Sequence, residues 1–165
     1  MNIESIKEDL LVRFPLFANV IASSNFIADE NVHSVSTDGK DVYYNPDFMN
    51  SLTEEKQKFA IAHILMHIAF NHLDRAKDKD HMLWNFATNA VINAFLKKEG
   101  LKAPENIIDM PQATNCNAEE LYNELLKAKD ACQTTNWDGH MYSKLIADFI
   151  KQSDPENKDL EGIQK

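Results

Sequence analysis

Two histidines, His63 and His67, have the residue type and the spacing that could do chemistry in this chain. Within a helix, residues four apart lie one turn apart on the same face. This is the spacing of the zinc-binding motif H-E-x-x-H, in which the histidines hold the metal ion and the glutamate activates a water molecule. Here Ile64 stands at the glutamate position. The pattern therefore predicts two zinc ligands without the base that a zinc hydrolase needs.

The same two histidines have a second interpretation, as core residues bonded to neighbouring side chains. Residues 59–70 contain no charged side chain, which is typical of a buried helix. Buried imidazoles need hydrogen-bond partners or a metal ion, because an unpaired buried polar group costs a few kcal/mol. The spacing alone leaves both interpretations open. His72 follows at a spacing that differs from the third histidine of longer zinc motifs, so we expect it on the surface at the helix end.

Three asparagines of the next predicted helix, Asn85, Asn89 and Asn93, also lie four residues apart. Asparagine is a mediocre helix former, so such a row at helical spacing is unusual. The row could be a solvated face, or it could be a buried amide network that faces His63 and His67. A neutral amide is a poor zinc ligand compared with a carboxylate, so the asparagines do not complete a strong metal site.

The charge of the chain excludes some classes of partner. The formal net charge is −9, and the sequence has no stripe of basic residues with interleaved aromatics, which argues against nucleic acid or an anionic membrane as partner. The N-terminus lacks the apolar run of a signal peptide, and residues 59–70 are too short a run to span a bilayer. We therefore predict a soluble cytoplasmic protein whose cysteines, Cys116 and Cys132, are reduced.

The elements that must position the histidines begin with short N-terminal segments. Apolar spacing predicts a helix over residues 2–13 and a second helix over residues 16–22. The turn signal TDGK at residues 37–40 separates two stretches with β-forming residues, 31–36 and 41–44. This pattern predicts a β-hairpin or small sheet ahead of the histidine helix.

The histidine helix is predicted to start at Ser51 and Glu54, which fit a capping box, and to end near Leu73. The sequence therefore predicts an α+β fold, with a mostly helical body and a small β-hairpin or sheet. We expect a single domain over residues 1–152, followed by a polar tail at residues 153–165. The further helices are predicted from residue 81 or 82 to about Lys98, over Ala118 to Lys129, and from after His140 to about Lys151.

Several segments resemble, in order, the bacterial metallopeptidase domain that usually precedes a von Willebrand A-like domain. Together they cover about residues 30–145, and the ordered set is more specific than any one piece. The resemblance implies a zincin-like α+β fold with a zinc site at the two histidines. The matching residues are Thr37-Asp38-Gly39, Tyr43-Tyr44-Asn45-Pro46, Phe48, Ala62, His63, His67, His72, Trp84-Asn85, Ala87, Ile92-Asn93, Ala118 to Tyr122 and Asp138-Gly139-His140.

The chain departs from the pattern of that family at two positions. The family has glutamate where this chain has Ile64, and it has aspartate, the implied third metal ligand, where this chain has Asn89. These changes remove the base and the anionic ligand, so the resemblance implies a degenerate site in which zinc is weakly bound or absent. We therefore predict an inactive metallopeptidase homologue that acts by binding another protein.

Two alternatives keep a metal ion in the site. One is an active zinc-dependent hydrolase whose base comes from elsewhere, with His140 or Asp138 as the substitute. The other is a structural zinc protein in which His63 and His67 bind the ion together with His140. The remaining candidate site residues are Asn89, as the other possible third group, Asn85 and Asn93.

Overall fold

The computed structural model describes residues 2–132 and 137–153. The chain divides into two compact units. Among the described residues, the first unit comprises residues 2–77 and 96–107, and the second comprises residues 78–95, 108–132 and 137–153. The prediction of one domain over residues 1–152 stays a prediction, and the predicted tail lies, from residue 154 onward, outside the described residues.

The first unit begins with helix α1 (Ile3–Arg13), close to its predicted bounds. Asn2 caps this helix, because its Oδ1 atom accepts a hydrogen bond from the backbone N–H of Ser5 at 3.1 Å. Ile6 and Leu10 lie four residues apart and bury the apolar stripe of α1 in the core. The segments that follow are a 3₁₀ turn (Pro15–Phe17) and helix α2 (Ala18–Ser23).

Three short strands form a mixed sheet: β1 (Phe26–Ala28), β2 (Val35–Thr37) and β3 (Val42–Tyr44). The central strand β3 pairs antiparallel with β2, with Thr37 opposite Val42, which confirms the predicted hairpin. Strand β1 pairs in parallel with β3 and is absent from the sequence-based prediction. A strand this short shows no alternating pattern, so its pairing with β3 rather than its own sequence sets its conformation.

The turn between β2 and β3 is stabilised by its own side chains. Asp38 accepts hydrogen bonds from the backbone N–H groups of Asp41 and Lys40, and the hydroxyl of Tyr43 donates a third at 3.0 Å. These bonds, led by the one from the Asp41 amide, hold the pKa of Asp38 below its ordinary value. Gly39 has a φ of 98°, which glycine adopts without strain. The TDG segment of the resemblance therefore has a structural role.

Helix α4 (Glu54–Ala69) carries the two histidines, and it does not begin where the capping-box pattern predicts. Its cap is Thr53, whose hydroxyl accepts a backbone N–H of the first turn. The predicted cap at Ser51 is wrong, because that residue ends the short helix α3 (Pro46–Asn50) and donates its hydroxyl to a carbonyl of it. Proline suits the first position of a helix, so Pro46 starts α3, and Ser51 lies at the end of that helix rather than at the start of α4.

Most of the circumference of α4 is buried. Fully burying a large apolar side chain contributes about 1.5–3 kcal/mol, so this helix is a main source of stability in the first unit. It contacts α1, α2 and β2. The buried apolar residues of α4 are Phe59, Ile61, Ala62, Ile64, Leu65 and Met66.

The second unit contains most of α5 (His81–Lys98), with α6 (Ala118–Asp130), α7 (Gly139–Ser153) and a 3₁₀ turn (Pro111–Asn115). Helix α6 begins as predicted, with Asn117 as its cap. The ring of Trp84 in α5 packs edge-on against Tyr122 in α6, with centroids 6.0 Å apart. Helices α6 and α7 also contact each other. Trp84 and Tyr122 belong to the segments of the resemblance, and here they pack helices together.

The described residues confirm the predicted α+β class, since they form seven α-helices and one three-stranded sheet. Across residues 2–132 and 137–153, no helix has both the length and the apolar character needed to cross a bilayer. The site residues predicted from the sequence are distributed over both units: the histidine pair lies in the first unit, and the asparagine row lies in the second.

Candidate functional site

The two histidines of the H-x-x-x-H spacing contact each other along one side of α4. The Nε2 atoms of His63 and His67 are 3.1 Å apart, and the two rings meet edge-on with centroids 4.7 Å apart. Both side chains are half-buried. One turn of helix separates them, as predicted, and their Nε2 atoms approach a common position. This geometry suits either one N–H···N hydrogen bond or two ligands of one cation.

The chain reverses at the C-terminus of α4, and Asn71 makes the turn. Asn71 adopts a left-handed conformation with a φ of 56°, which asparagine tolerates better than most residues. Its N–H donates to the carbonyl of Ile68 at 3.0 Å, and the N–H of His72 donates to the carbonyl of His67 at 3.1 Å. Together these bonds form a Schellman motif, a common helix ending. The backbone of His72 is thereby held beside His67.

His72 is buried, with 5% of its surface exposed, so the prediction of a surface histidine is wrong. Its Nδ1 atom lies 3.1 Å from Nδ1 of His67, and the ring of Phe70 stacks on its ring. The prediction assumed a helix continuing to Leu73, which would carry His72 away from the histidine face. The turn at Asn71 returns it instead. An asparagine directly before His72 is the sequence signal for such a turn.

The three imidazoles form a chain in which His67 is the middle member. A neutral imidazole has one N–H donor and one acceptor nitrogen. Because His67 contacts a ring nitrogen on each side, a neutral His67 donates to one neighbour and accepts from the other. If the Nε2 atoms of His63 and His67 both offer lone pairs to a cation, the proton of His67 is on Nδ1 and points to His72. Which ring nitrogen of His67 carries the proton therefore depends on its contact with His72.

Ile64, at the position of the missing glutamate, is part of the core, with 7% of its surface exposed. Its neighbours Leu65 and Met66 are 1% exposed. An aliphatic side chain can neither accept a proton nor orient a water molecule. The helix face with the two histidines therefore lacks a base at the position where zinc peptidases carry one.

The described residues fit part of a zinc site. Two zinc–nitrogen bonds of about 2.0–2.1 Å at a tetrahedral angle separate the nitrogens by about 3.3 Å, close to the 3.1 Å between these Nε2 atoms. Among residues 2–132 and 137–153, no three His, Cys, Asp or Glu side chains are grouped as metal ligands. His63 and His67 therefore offer two neutral ligands, and the identity of a further ligand stays a prediction.

The asparagine row of α5 does not share one environment. Asn85 is exposed, Asn89 is half-buried and Asn93 is buried. The side-chain amide of Asn93 donates to the carbonyl of Ile108 at 3.0 Å. The row is thus neither a wholly solvated face nor a wholly buried network. Asn89 belongs to the second unit and the histidine pair to the first, so its role as a third group stays a prediction.

The two other predicted site residues, Asp138 and His140, lie at the start of α7. The Oδ1 atom of Asp138 accepts a hydrogen bond from the N–H of Met141 at 2.9 Å, as a helix-capping residue does. His140 is exposed in the first turn of the helix. Asp138 therefore has a structural role, and the roles of the two residues as substitute base and third ligand stay predictions.

A second polar group, which we call the Asp80 cluster, is formed by Asp80, Lys129, Tyr122 and Tyr142 in the second unit. Asp80 Oδ2 accepts hydrogen bonds from Lys129 Nζ and from the hydroxyl of Tyr142, each at 2.6 Å. Its Oδ1 atom accepts backbone N–H groups at the start of α5. The hydroxyl of Tyr122 accepts the N–H of Asp80 at 2.9 Å. The cluster thereby ties α5, α6 and α7 together, and sequence reasoning missed it.

The charges in the Asp80 cluster shift each other's pKa values. Burial raises the pKa of Asp80, but the hydrogen bonds from Lys129 and Tyr142 outweigh it and lower the pKa below the ordinary 3.8. The bond to Asp80 raises the pKa of Lys129 strongly. Both shifts favour the charged forms, so the carboxylate and the ammonium group stabilise each other near neutral pH.

The profile of one protein family, described as "Putative metallopeptidase domain", matches residues 4–157 of the chain. The match includes the segments of the resemblance and extends over all seven helices except for the first residue of α1. No curated protein and no solved structure gives a significant match.

Proposed function

We propose that this chain, which belongs to the family described as a putative metallopeptidase domain, is a non-hydrolytic member that acts by binding another protein. The observation that carries this proposal is the burial of Ile64, 7% exposed, at the position of the glutamate base. Before it can attack a peptide bond, a zinc-bound water molecule needs a base within hydrogen-bond reach. The buried isoleucine therefore supports the proposal that this domain keeps the scaffold of the family but does not hydrolyse peptide bonds.

Two exposed apolar side chains support a protein as the partner. Leu16 is 93% exposed and Val12 is 85% exposed, and both belong to the N-terminal part of the first unit. Burying such a side chain contributes about 1.5–3 kcal/mol, so a complex in which the partner covers both side chains would be stabilised by their burial. The net charge of −9 favours a protein partner over a nucleic acid.

A peptidase assay tests the loss of hydrolysis. The protein is incubated with Zn²⁺ and a peptide mixture, and cleavage is followed by mass spectrometry. We expect no cleavage above that of a chelator-treated control. Cleavage that requires His63 and is lost in His140→Ala or Asp138→Asn would overturn the proposal and favour a hydrolase with a substitute base.

A capture experiment tests protein binding. Three chains are immobilised: the parent, a Val12→Ser/Leu16→Ser double variant and a Met82→Ser control. The proteins that each immobilised chain retains are then compared. Met82 is 45% exposed and lies in the second unit, so it controls for the loss of an apolar surface group elsewhere. We expect a protein that binds the parent and the control but not the double variant. Equal retention by all three would contradict the assignment of this surface.

A second candidate function, holding a divalent cation without hydrolysis, is favoured by the 3.1 Å approach of the His63 and His67 Nε2 atoms. Neutral imidazoles are good zinc ligands, and a bound ion would polarise a coordinated group as a Lewis acid. Zinc titration calorimetry on the parent and on His63→Ala tests it, and binding should be lost in the variant. Asn89→Asp tests the third group, because a carboxylate should tighten binding there if position 89 belongs to the site.

A further inference from the structure

We propose that His72 positions the ring of His67, and that the left-handed turn at Asn71 holds His72 in place. This role belongs to the arrangement of the histidine chain itself, with or without a cation. Only its zinc measurement rests on the second function proposed above.

The contact that carries the inference joins the Nδ1 atoms of His67 and His72, which are 3.1 Å apart. The last torsion of a histidine side chain is broad and nearly two-fold, so hydrogen bonds decide which ring nitrogen faces which neighbour. A hydrogen bond between the Nδ1 atoms of His67 and His72 selects the orientation in which Nε2 of His67 faces His63. His72 thus determines which nitrogen the pair presents.

A general property of metal-binding histidines supports this role. They almost always donate their second ring N–H to an acceptor, which fixes the tautomer and the ring plane. The usual acceptors are carboxylates, backbone carbonyls and water, whereas His67 has the Nδ1 atom of His72 at that distance. A neutral imidazole adds no negative charge, so this arrangement orients the ligand without strengthening it as a carboxylate would.

The turn at Asn71 is the element that brings His72 to His67. Besides the two bonds of the Schellman motif, the N–H of Arg75 donates to the carbonyl of Asn71 at 3.1 Å, and its guanidinium donates to the carbonyl of Phe70 at 2.7 Å. These contacts hold a backbone that depends on a φ of 56° at position 71. Glycine adopts that conformation readily, and a β-branched residue does not.

Nitrogen-15 NMR of the metal-free full chain tests the contact directly. A hydrogen bond between two ring nitrogens produces a scalar coupling between them, and we expect one between Nδ1 of His67 and Nδ1 of His72. A residue that only fills space at position 72 would give no such coupling. The absence of the coupling in the folded parent chain would overturn the proposal.

Matched substitutions test the turn. Asn71→Gly should keep the coupling, because glycine accepts the left-handed conformation, and Asn71→Val should abolish it. Asn106→Val is the control, since Asn106 is also left-handed, with a φ of 63°, but lies in the 96–107 segment. It should keep the coupling. Retention of the coupling in Asn71→Val would show that the turn does not place His72.

Zinc titration tests the consequence for the pair. His72→Phe keeps an aromatic ring and removes the acceptor, so Zn²⁺ affinity should fall by about 10- to 100-fold. His33→Phe, which changes an exposed histidine of the same unit, should leave the affinity unchanged. Equal affinities of His72→Phe and the parent would overturn the positioning role. If the parent takes up no Zn²⁺, the second function fails, and the NMR coupling alone decides the placement of His72.

Discussion

The polar groups of the two units differ in how their atoms are matched. In the Asp80 cluster a carboxylate accepts hydrogen bonds from an ammonium group and a hydroxyl, so opposite charges, donors and acceptors are all paired. In the histidine chain three groups of one kind meet, with ring nitrogen facing ring nitrogen at 3.1 Å in both contacts. Each of those contacts needs a proton or a cation between or beside the nitrogens.

This difference separates a structural cluster from a candidate functional one. The Asp80 cluster has one favourable arrangement, and removing a member leaves a charge without its partner. In the histidine chain each neutral imidazole carries one N–H that either ring nitrogen can hold, so its protons have more than one possible arrangement. The family match adds weight to the histidines, because a metallopeptidase domain is where such a pair would hold a metal ion.

The largest effect should come from placing a charge in the uncharged face of α4. Ile64 is 7% exposed, and Ile64→Glu replaces its buried aliphatic side chain with a buried carboxylate. We expect it to lower the free energy of unfolding by roughly 3–5 kcal/mol, measured by urea denaturation. Ile64→Gln is the matched control, with the same shape and no charge, and should lose less. A stable Ile64→Glu chain would contradict the expected cost of placing a carboxylate at position 64.

The next effect should come from breaking the paired charges of the Asp80 cluster. The side chains of Asp80 and Lys129 are 15% and 21% exposed, so their attraction is only partly screened by water. Asp80→Ala also removes the cap of α5, and we expect a loss of about 2–3 kcal/mol in urea denaturation. Glu124→Ala, which breaks the exposed pair with Lys127, should cost at most about 1 kcal/mol. Equal losses would show that the Asp80 cluster is no more than a surface ion pair.

The sequence predicts the histidine chain better than the Asp80 cluster, and the reason is physical. The cap of α6 at Asn117 depends on a bond within the first turn, so its signal is local, whereas the similar local signal at Ser51 wrongly predicted the start of α4. The Asp80 cluster is not predictable in this way, because Tyr122, Lys129 and Tyr142 are 42, 49 and 62 residues from Asp80 along the chain. No local pattern marks such a pairing, and only the packing of α5, α6 and α7 creates it.

The histidine site was predictable in part. The spacing of His63 and His67 in an uncharged helix predicts their common face, because helical geometry alone determines it. The place of His72 depends on where α4 ends, and helix ends are the least predictable part of a helix. Strand β1 was missed for a related reason, since its conformation depends on pairing with β3 rather than on its own residues.

A smaller effect should distinguish the two regions by pH. The lowered pKa of Asp80 means that the unfolded chain binds a proton there more readily than the folded chain. Its contribution is therefore present above the ordinary value of 3.8 and is lost as the pH falls through the lowered value. The stability difference between the parent and Asp80→Asn should be constant between about pH 7 and pH 5 and shrink below about pH 4. A difference that is unchanged at low pH would show that Asp80 stabilises mainly as a neutral cap.

The smallest effect should come from removing metal ions from the histidine chain. The core residues of α4 and the Schellman bonds at its end hold the first unit without a cation. A weak ligand present at its dissociation constant adds only about 0.4 kcal/mol, which corresponds to a shift of about 1–2 °C in Tm for a chain of this size. A chelator should therefore leave the Tm within about 2 °C of its value with Zn²⁺, measured by scanning calorimetry. The chelated Asp80→Ala variant is the comparison, because its Tm should fall with or without Zn²⁺. A drop of many degrees on chelation of the parent would mean that zinc holds the fold, and the histidine chain would then be the structural cluster of the two.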